Sequence, residues 1–164
     1  LPRFETAFLY AGTCLFEGTN LSEGRGTADP FAILGAPYIQ DVEGLAAAFN
    51  QKKLPGILAT PQYFEPTTSK HKGQVCGGVH LHVTDPEALR PLAAALTLLE
   101  LVRDRHEKEF AFLPPVREGG RPFISLLAGH REFERPGWTA AALLERQRRE
   151  QEQFARRKEP FHLY

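Results

Sequence analysis

Glu17-Gly18-Thr19-Asn20-Leu21-Ser22-Glu23-Gly24-Arg25-Gly26-Thr27 packs two carboxylates, a guanidinium, three glycines and four uncharged polar side chains into eleven residues. Only Leu21 is apolar, so the stretch has neither the alternation of a strand nor the stripe of a helix, and it reads as a loop. Its glycines allow positive φ and close approach of the backbone to a ligand. Its hydroxyl and amide groups supply donors and acceptors without charge. Glu17 and Glu23 can serve as a general acid and base, or as ion-pair partners of Arg25. The plainer alternative is a solvated turn whose charges pair with one another.

Upstream, Thr6 to Tyr10 is a short, β-leaning apolar run and predicts a buried strand that delivers the loop at its end. Downstream, Asp29-Pro30 and Gly35-Ala36-Pro37 forbid a regular helix. Asp41 can cap a helix over about 42–52, with Leu45, Ala48 and Phe49 on one face. Ile57 to Ala59 begins another strand, continued or broken near Pro61. A second polar loop, from Phe64 to Gly73, carries Thr67, Thr68, Ser69, Lys70 and His71.

Val79, Leu81 and Val83 alternate with His80 and His82, which predicts a strand with both histidines on one face. Thr84-Asp85-Pro86-Glu87 reads as a helix start. Leu89, Leu92, Leu96 and Leu99 carry that helix to about residue 105, with Pro91 expected to bend its first turns. A short strand at Phe110 to Phe112, a short helix from Phe123 to Leu127 ended by Gly129, and a charged helix over about 139–158 complete the chain. In the last helix Glu145 with Arg149, and Glu152 with Arg156, are i,i+4 pairs, and Leu144 and Phe154 are its expected packing residues. Together these elements predict one α/β domain with a small, mostly buried mixed sheet and helices packed on it.

Composition agrees with a single folded unit. The 164 residues are 42% hydrophobic and 24% charged, enough apolar material for a core. Twenty basic residues balance twenty acidic ones, so no global field argues for nucleic acid or a membrane surface as partner. No apolar run approaches the ~18 residues of a membrane span. The chain starts at Leu1 and contains no Met, so it is expected to be a piece of a longer polypeptide. Two cysteines, Cys14 and Cys76, are too few for a disulfide framework, although both lie in motif segments and can be spatial neighbours.

The segment from Tyr10 to Thr27 resembles the signature of the exo-β-N-acetylmuramidase NamZ family, formerly a domain of unknown function, DUF1343. Pro30-Phe31, Gly35-Ala36-Pro37-Tyr38, the run from Phe64 to Lys70, the run from Cys76 to Asp85, and the run from Pro122 to Gly129 are similar to later motifs of that family. The resemblance spans nearly the whole chain and covers only the family's C-terminal domain. It implies that residues 1–164 form that domain and that a Rossmann-like N-terminal domain is absent.

The resemblance implies a glycoside hydrolase that releases terminal N-acetylmuramic acid (MurNAc) from peptidoglycan fragments, with no cofactor. Such chemistry usually takes two carboxyl groups flanking the scissile bond, for which Glu23 and Glu17 are the candidates. Glu23 is preferred because Arg25, two residues on, can orient it. MurNAc differs from N-acetylglucosamine (GlcNAc) by a lactyl ether bearing a carboxylate, which a guanidinium can grip with two parallel bonds, so Arg25 is a candidate for that contact. Thr19, Asn20, Ser22, Thr27, Ser69, Lys70 and His82 are candidate glycan contacts. Position 80 carries His where the family pattern has Gln.

Two other readings stay open. His80 and His82 project one way and can ligate a metal, but zinc needs at least a third ligand, for which His71, Cys76 and Asp85 are near in sequence. No metal site is expected on that count. Alternatively the domain binds glycan or clamps a partner domain without catalysis.

Overall fold

The computed structural model describes residues 3–162. Helix α1 (Phe4–Thr13) runs into a 3₁₀ turn (Cys14–Gly18), then come β1 (Ile33–Ala36), α2 (Val42–Gln51), β2 (Ile57–Phe64), β3 (Cys76–Val83), α3 (Pro91–Arg105), α4 (Phe123–Ala128) and α5 (Ala140–Lys158). The strands form one three-stranded sheet in the order β1-β3-β2. The α/β class is as expected, but the sheet is antiparallel throughout rather than mixed.

The expected strand at Thr6 to Tyr10 is instead part of α1. Its buried residues are Thr6, Leu9, Gly12 and Thr13, a spacing of three to four that marks one helical face. Packing along α3 decides the outcome over the β-leaning composition, and the Thr13 hydroxyl donates back to the Leu9 carbonyl at 3.0 Å. The strand at 79–83 therefore has no strand partner in residues 6–10, although Thr6 and Leu9 line one cleft with His80 to Val83. Its neighbours are β1, where His80 faces Ile33, and β2, where Leu81 faces Ala59.

Other local signals act where they were read. The Asp41 carboxylate caps α2 by accepting from the Gly44 amide at 2.9 Å, and Val42, Leu45, Ala46 and Phe49 are buried beneath it. Strand β2 passes through Pro61 without breaking, because it is an edge strand, where a residue lacking an N–H is tolerated. Gly129 ends α4 at φ 73°. A cap that was not read from the sequence is Thr139, whose hydroxyl accepts from the Ala142 amide at the start of α5 at 3.1 Å.

Three readings change. Asp85 starts no helix: its carboxylate accepts from the Glu87 and Ala88 amides and closes a turn. The helix begins at Pro91, whose missing N–H would have had no partner there in any case. Phe112 makes a single bridge to Thr19 in place of a strand. On α5, Leu144 packs against the core as expected, but Phe154 is exposed, and the buried residues are Ala140 and Leu143. Glu145 does pair with Arg149, while Glu152 pairs with Arg148. Cys14 and Cys76 are free thiols. Burial, with the Glu17 charge second, pushes the Cys14 thiol up, and burial pushes Cys76 to about 11.

Gly12 is where α1 and α3 touch. A Cβ there would sit 2.1 Å from the Pro91 carbonyl oxygen and 2.9 Å from the Leu92 nitrogen, both backbone atoms. Helix propensity alone would make Gly12→Ala stabilising by up to ~1 kcal/mol. We expect the opposite sign, a loss of about 1–3 kcal/mol, because two backbones must separate. Urea denaturation of the variant checks it, and an unchanged or raised midpoint would refute the close contact.

Candidate functional site

The signature loop is held by its own polar side chains. Thr19 and Ser22 are fully buried. The Thr19 hydroxyl donates to the Phe16 carbonyl at 2.8 Å and accepts from the Leu21 amide. Ser22 Oγ accepts from the Gly24 amide at 3.1 Å, and Thr27 Oγ1 donates to the Gly24 carbonyl at 2.6 Å. Asn20 Nδ2 donates to the Glu109 carbonyl, and its Oδ1 accepts from the Ala111 amide and the Tyr38 hydroxyl. These four expected glycan contacts therefore shape the loop and tie it to residues 109–111.

The charged residues converge. Arg25 Nε lies 2.9 Å from Glu23 Oε1, and its Nη2 lies 3.2 Å from Glu17 Oε2. Lys70 Nζ, arriving from the second polar loop, lies 2.8 Å from Glu23 Oε2. That contact is a charge pairing, not an aligned hydrogen bond, for Oε2 is fully buried and accepts no hydrogen bond among the described residues. Exposure separates the group: the Glu23 side chain is 3% exposed, Glu17 and Lys70 21% each, and Arg25 46%. Arg25 does pair with Glu23 as the spacing suggested, and the pairing closes that carboxylate off. Arg25 is the most solvent-facing group, with Glu17 and Lys70 partly exposed.

Phe31 supplies a floor that the sequence reading did not assign. The Arg25 guanidinium sits 5.0 Å from its ring centroid, within cation–π range, and Tyr10 packs edge-on to the same ring at 4.7 Å. Phe31 has φ 69°, a conformation rare for a bulky residue, and its amide donates to the Glu23 carbonyl oxygen at 2.6 Å. The available signal was the Pro30-Phe31 pair immediately after the loop.

The remaining candidates lie elsewhere or stand apart. Ser69 is exposed, with φ 67°. His82 shares a 2.8 Å hydrogen bond with Thr60 on β2. His80 and His82 do share a face, their ring centroids 4.3 Å apart, beside a cleft of about 320 Å³ that also meets Arg3, Glu5 and Asp29. His80 Nε2 is 3.7 Å from Asp29 Oδ2, whose other oxygen pairs with Arg3. Among the described residues no three His, Cys, Asp or Glu side chains are placed to hold one metal ion.

Burial pushes the His80 imidazole below its ordinary range, helped by the neighbouring His82 and opposed by the Asp29 charge. The folded state therefore resists a proton that the unfolded chain accepts near pH 6.5. Stability from His80 is present above that pH and is lost as pH falls through 6.5 toward the lower folded value. His106 and His130 are shifted the same way, so His80→Gln should reduce the acid-side slope without abolishing it. Melting temperatures of both proteins between about pH 7 and 5 test this, and identical slopes would refute it.

Comparison with known proteins gives the site its context. Residues 8–164 match the family described as exo-beta-N-acetylmuramidase NamZ, C-terminal. The peptidoglycan beta-N-acetylmuramidase NamZ of Bacillus subtilis (strain 168) is 42% identical over 113 residues, 69% of this chain and 27% of that protein. The chain thus spans about a quarter of that relative's length. The crystal structure of a DUF1343 family protein from Bacteroides fragilis NCTC 9343 superposes with a TM-score of 0.80 at 20% identity, over 96% of this chain and 42% of that one. A second DUF1343 protein from the same strain gives 0.62 at 22% identity, over 99% and 42%. At these identities the two structures speak for the fold alone. With the family match running through the signature loop and on to the last residue, the chain belongs to the NamZ C-terminal domain family.

Proposed function

We propose that this domain forms part of the active site of an exo-acting β-N-acetylmuramidase that removes terminal MurNAc from peptidoglycan fragments. The observation that carries the reading is the Glu17–Arg25–Glu23 cluster in the signature loop of a chain that belongs to this family. Arg25 presents a half-exposed guanidinium, braced from below by Phe31 and from the side by Glu23. Such a group pairs with the lactyl carboxylate that distinguishes MurNAc from GlcNAc. Glu17, beside it and partly exposed, is the carboxylate proposed to meet a sugar. Glu23 keeps Arg25 in position, or acts on the glycan if the cluster opens when substrate binds.

Glycosidases need groups on both sides of the scissile bond, and this loop forms one wall. The second wall is proposed to come from the N-terminal domain that family members carry, since clefts of this kind commonly form where two domains meet. The burial of Glu23 favours a second reading, in which the domain clamps glycan and the other domain performs the chemistry. Glu17→Gln and Glu23→Gln, made separately in the two-domain protein, decide between them. A catalytic carboxylate costs several decades in kcat, a binding one far less.

Two outcomes are expected. Arg25→Ala should lose about 1.5–3 kcal/mol of transition-state stabilisation on MurNAc glycosides relative to GlcNAc glycosides, the value of a charged hydrogen bond. Equal losses on both would show that Arg25 does not read the lactyl group. Residues 1–164 alone should melt cooperatively yet release MurNAc far more slowly than the two-domain protein, because substrate positioning can be worth ~7–11 kcal/mol of barrier. A rate within about tenfold would mean that this domain is the whole catalyst.

A further inference from the structure

Lys70 stands where the two polar loops meet. Its ammonium donates to the carbonyl oxygens of Phe16 and Leu21, each at 2.9 Å, and lies 2.8 Å from Glu23 Oε2. Two of the ammonium's three N–H donors are taken by these carbonyls, and its charge faces the Glu23 carboxylate. Around it the second loop is fastened to the first. The Thr67 amide and hydroxyl both donate to the Gly26 carbonyl, at 3.0 and 2.9 Å, and His71 Nε2 donates to the Asn20 carbonyl at 2.7 Å. Gly26 has no room for a side chain, because a Cβ would come within 2.5 Å of the Thr68 nitrogen. The residues on either side of Lys70, Ser69 and His71, have φ of 67° and 57°. Chains hold non-glycine residues there only where the surroundings over-determine them. Burial pushes the Lys70 ammonium down, and Glu23 pulls it back up.

We infer that Lys70 is a positioning residue that reaches the glycan only through Glu23 and Arg25. It holds the Glu23 carboxylate from one side so that Arg25 can hold it from the other, with its outer edge turned to solvent. This rests on the reading of the loop as a muramyl-glycan site. Without the ammonium, the Leu21 carbonyl loses its donor, the Phe16 carbonyl keeps only its bonds from Thr19, and Glu23 keeps a single counter-cation. The loop then has no fixed presentation of Arg25.

The test uses the two-domain protein with chromogenic MurNAc glycosides. Lys70→Ala, and Lys70→Met as a second variant that keeps most of the stem, should lower kcat by roughly 30-fold or more while KM stays within about threefold. Added ethylammonium should restore part of the Lys70→Ala rate saturably and leave Glu23→Gln unmoved. Lys70→Ala combined with Glu23→Gln should be no worse than Glu23→Gln alone within about threefold, because the two act as one unit. Thr67→Val removes only a hydroxyl bond between the loops and should lower the melting temperature while kcat stays within about threefold. Four results would overturn the assignment: unchanged kcat in both Lys70 variants, a raised KM with kcat retained, additive losses in the double variant, or a kcat loss in Thr67→Val equal to that of Lys70→Met. Full activity of both Glu17→Gln and Glu23→Gln would instead sink the muramidase reading of the loop. Inactive Glu23→Gln beside active Lys70→Met sinks the Lys70 assignment alone.

Discussion

A carboxylate taken out of water is the constraint on which this domain is built. Glu23 is buried, and a buried carboxylate is tolerated only with compensating charge and donors. One cation comes from its own loop and the other from a loop more than forty residues away, so neither loop can take its shape without the other. The dependence spreads outward. Arg25 ties Glu17 into the same group, and Phe31 under Arg25 ties in Tyr10 on α1. Asn20 fastens the far side of the loop to residues 109–111. The sheet and helices supply a frame stiff enough to keep these pieces in register.

Backbone strain tells the same story from a different measurement. Four non-glycine residues among those described have positive φ: Phe31, Lys53, Ser69 and His71. Three of them lie in, or directly after, the two loops that meet at Glu23. Such conformations cost of order 1–3 kcal/mol each and collect at sites where geometry matters more than local comfort. Lys53, in the turn after α2, is the exception and belongs to ordinary chain reversal.

Local chemistry was legible where it is self-contained. Asp41 was readable as a cap, and Gly129 as a stop, because each signal and its partner lie within a few residues. The face shared by His80 and His82 was readable because alternation in a strand is strict. The α1 segment was misread because five residues of Thr, Ala, Phe, Leu and Tyr suit either state, and the choice is made by α3, eighty residues later. Pro91 looked like a flaw only because Asp85 looked like a start. The turn at Asp85 displaced the helix origin by six residues and made the proline its first residue. At the site, the polar residue types were readable but their division of labour was not. Whether a serine or asparagine faces a sugar or a backbone amide depends on the fold of the loop, as Ser22 and Asn20 illustrate.

The two thiols carry a consequence for where this fold can work. Neither Cys14 nor Cys76 is bridged, and each is held toward its protonated form, so little thiolate is available at neutral pH for exchange or oxidation. The packing of α1 on α3, and of the sheet on α2, owes nothing to a covalent crosslink. The domain's stability is therefore indifferent to the glutathione poise around it. The same tertiary structure serves on the reducing or the oxidising side of a cell envelope, with no need for an oxidase to complete it.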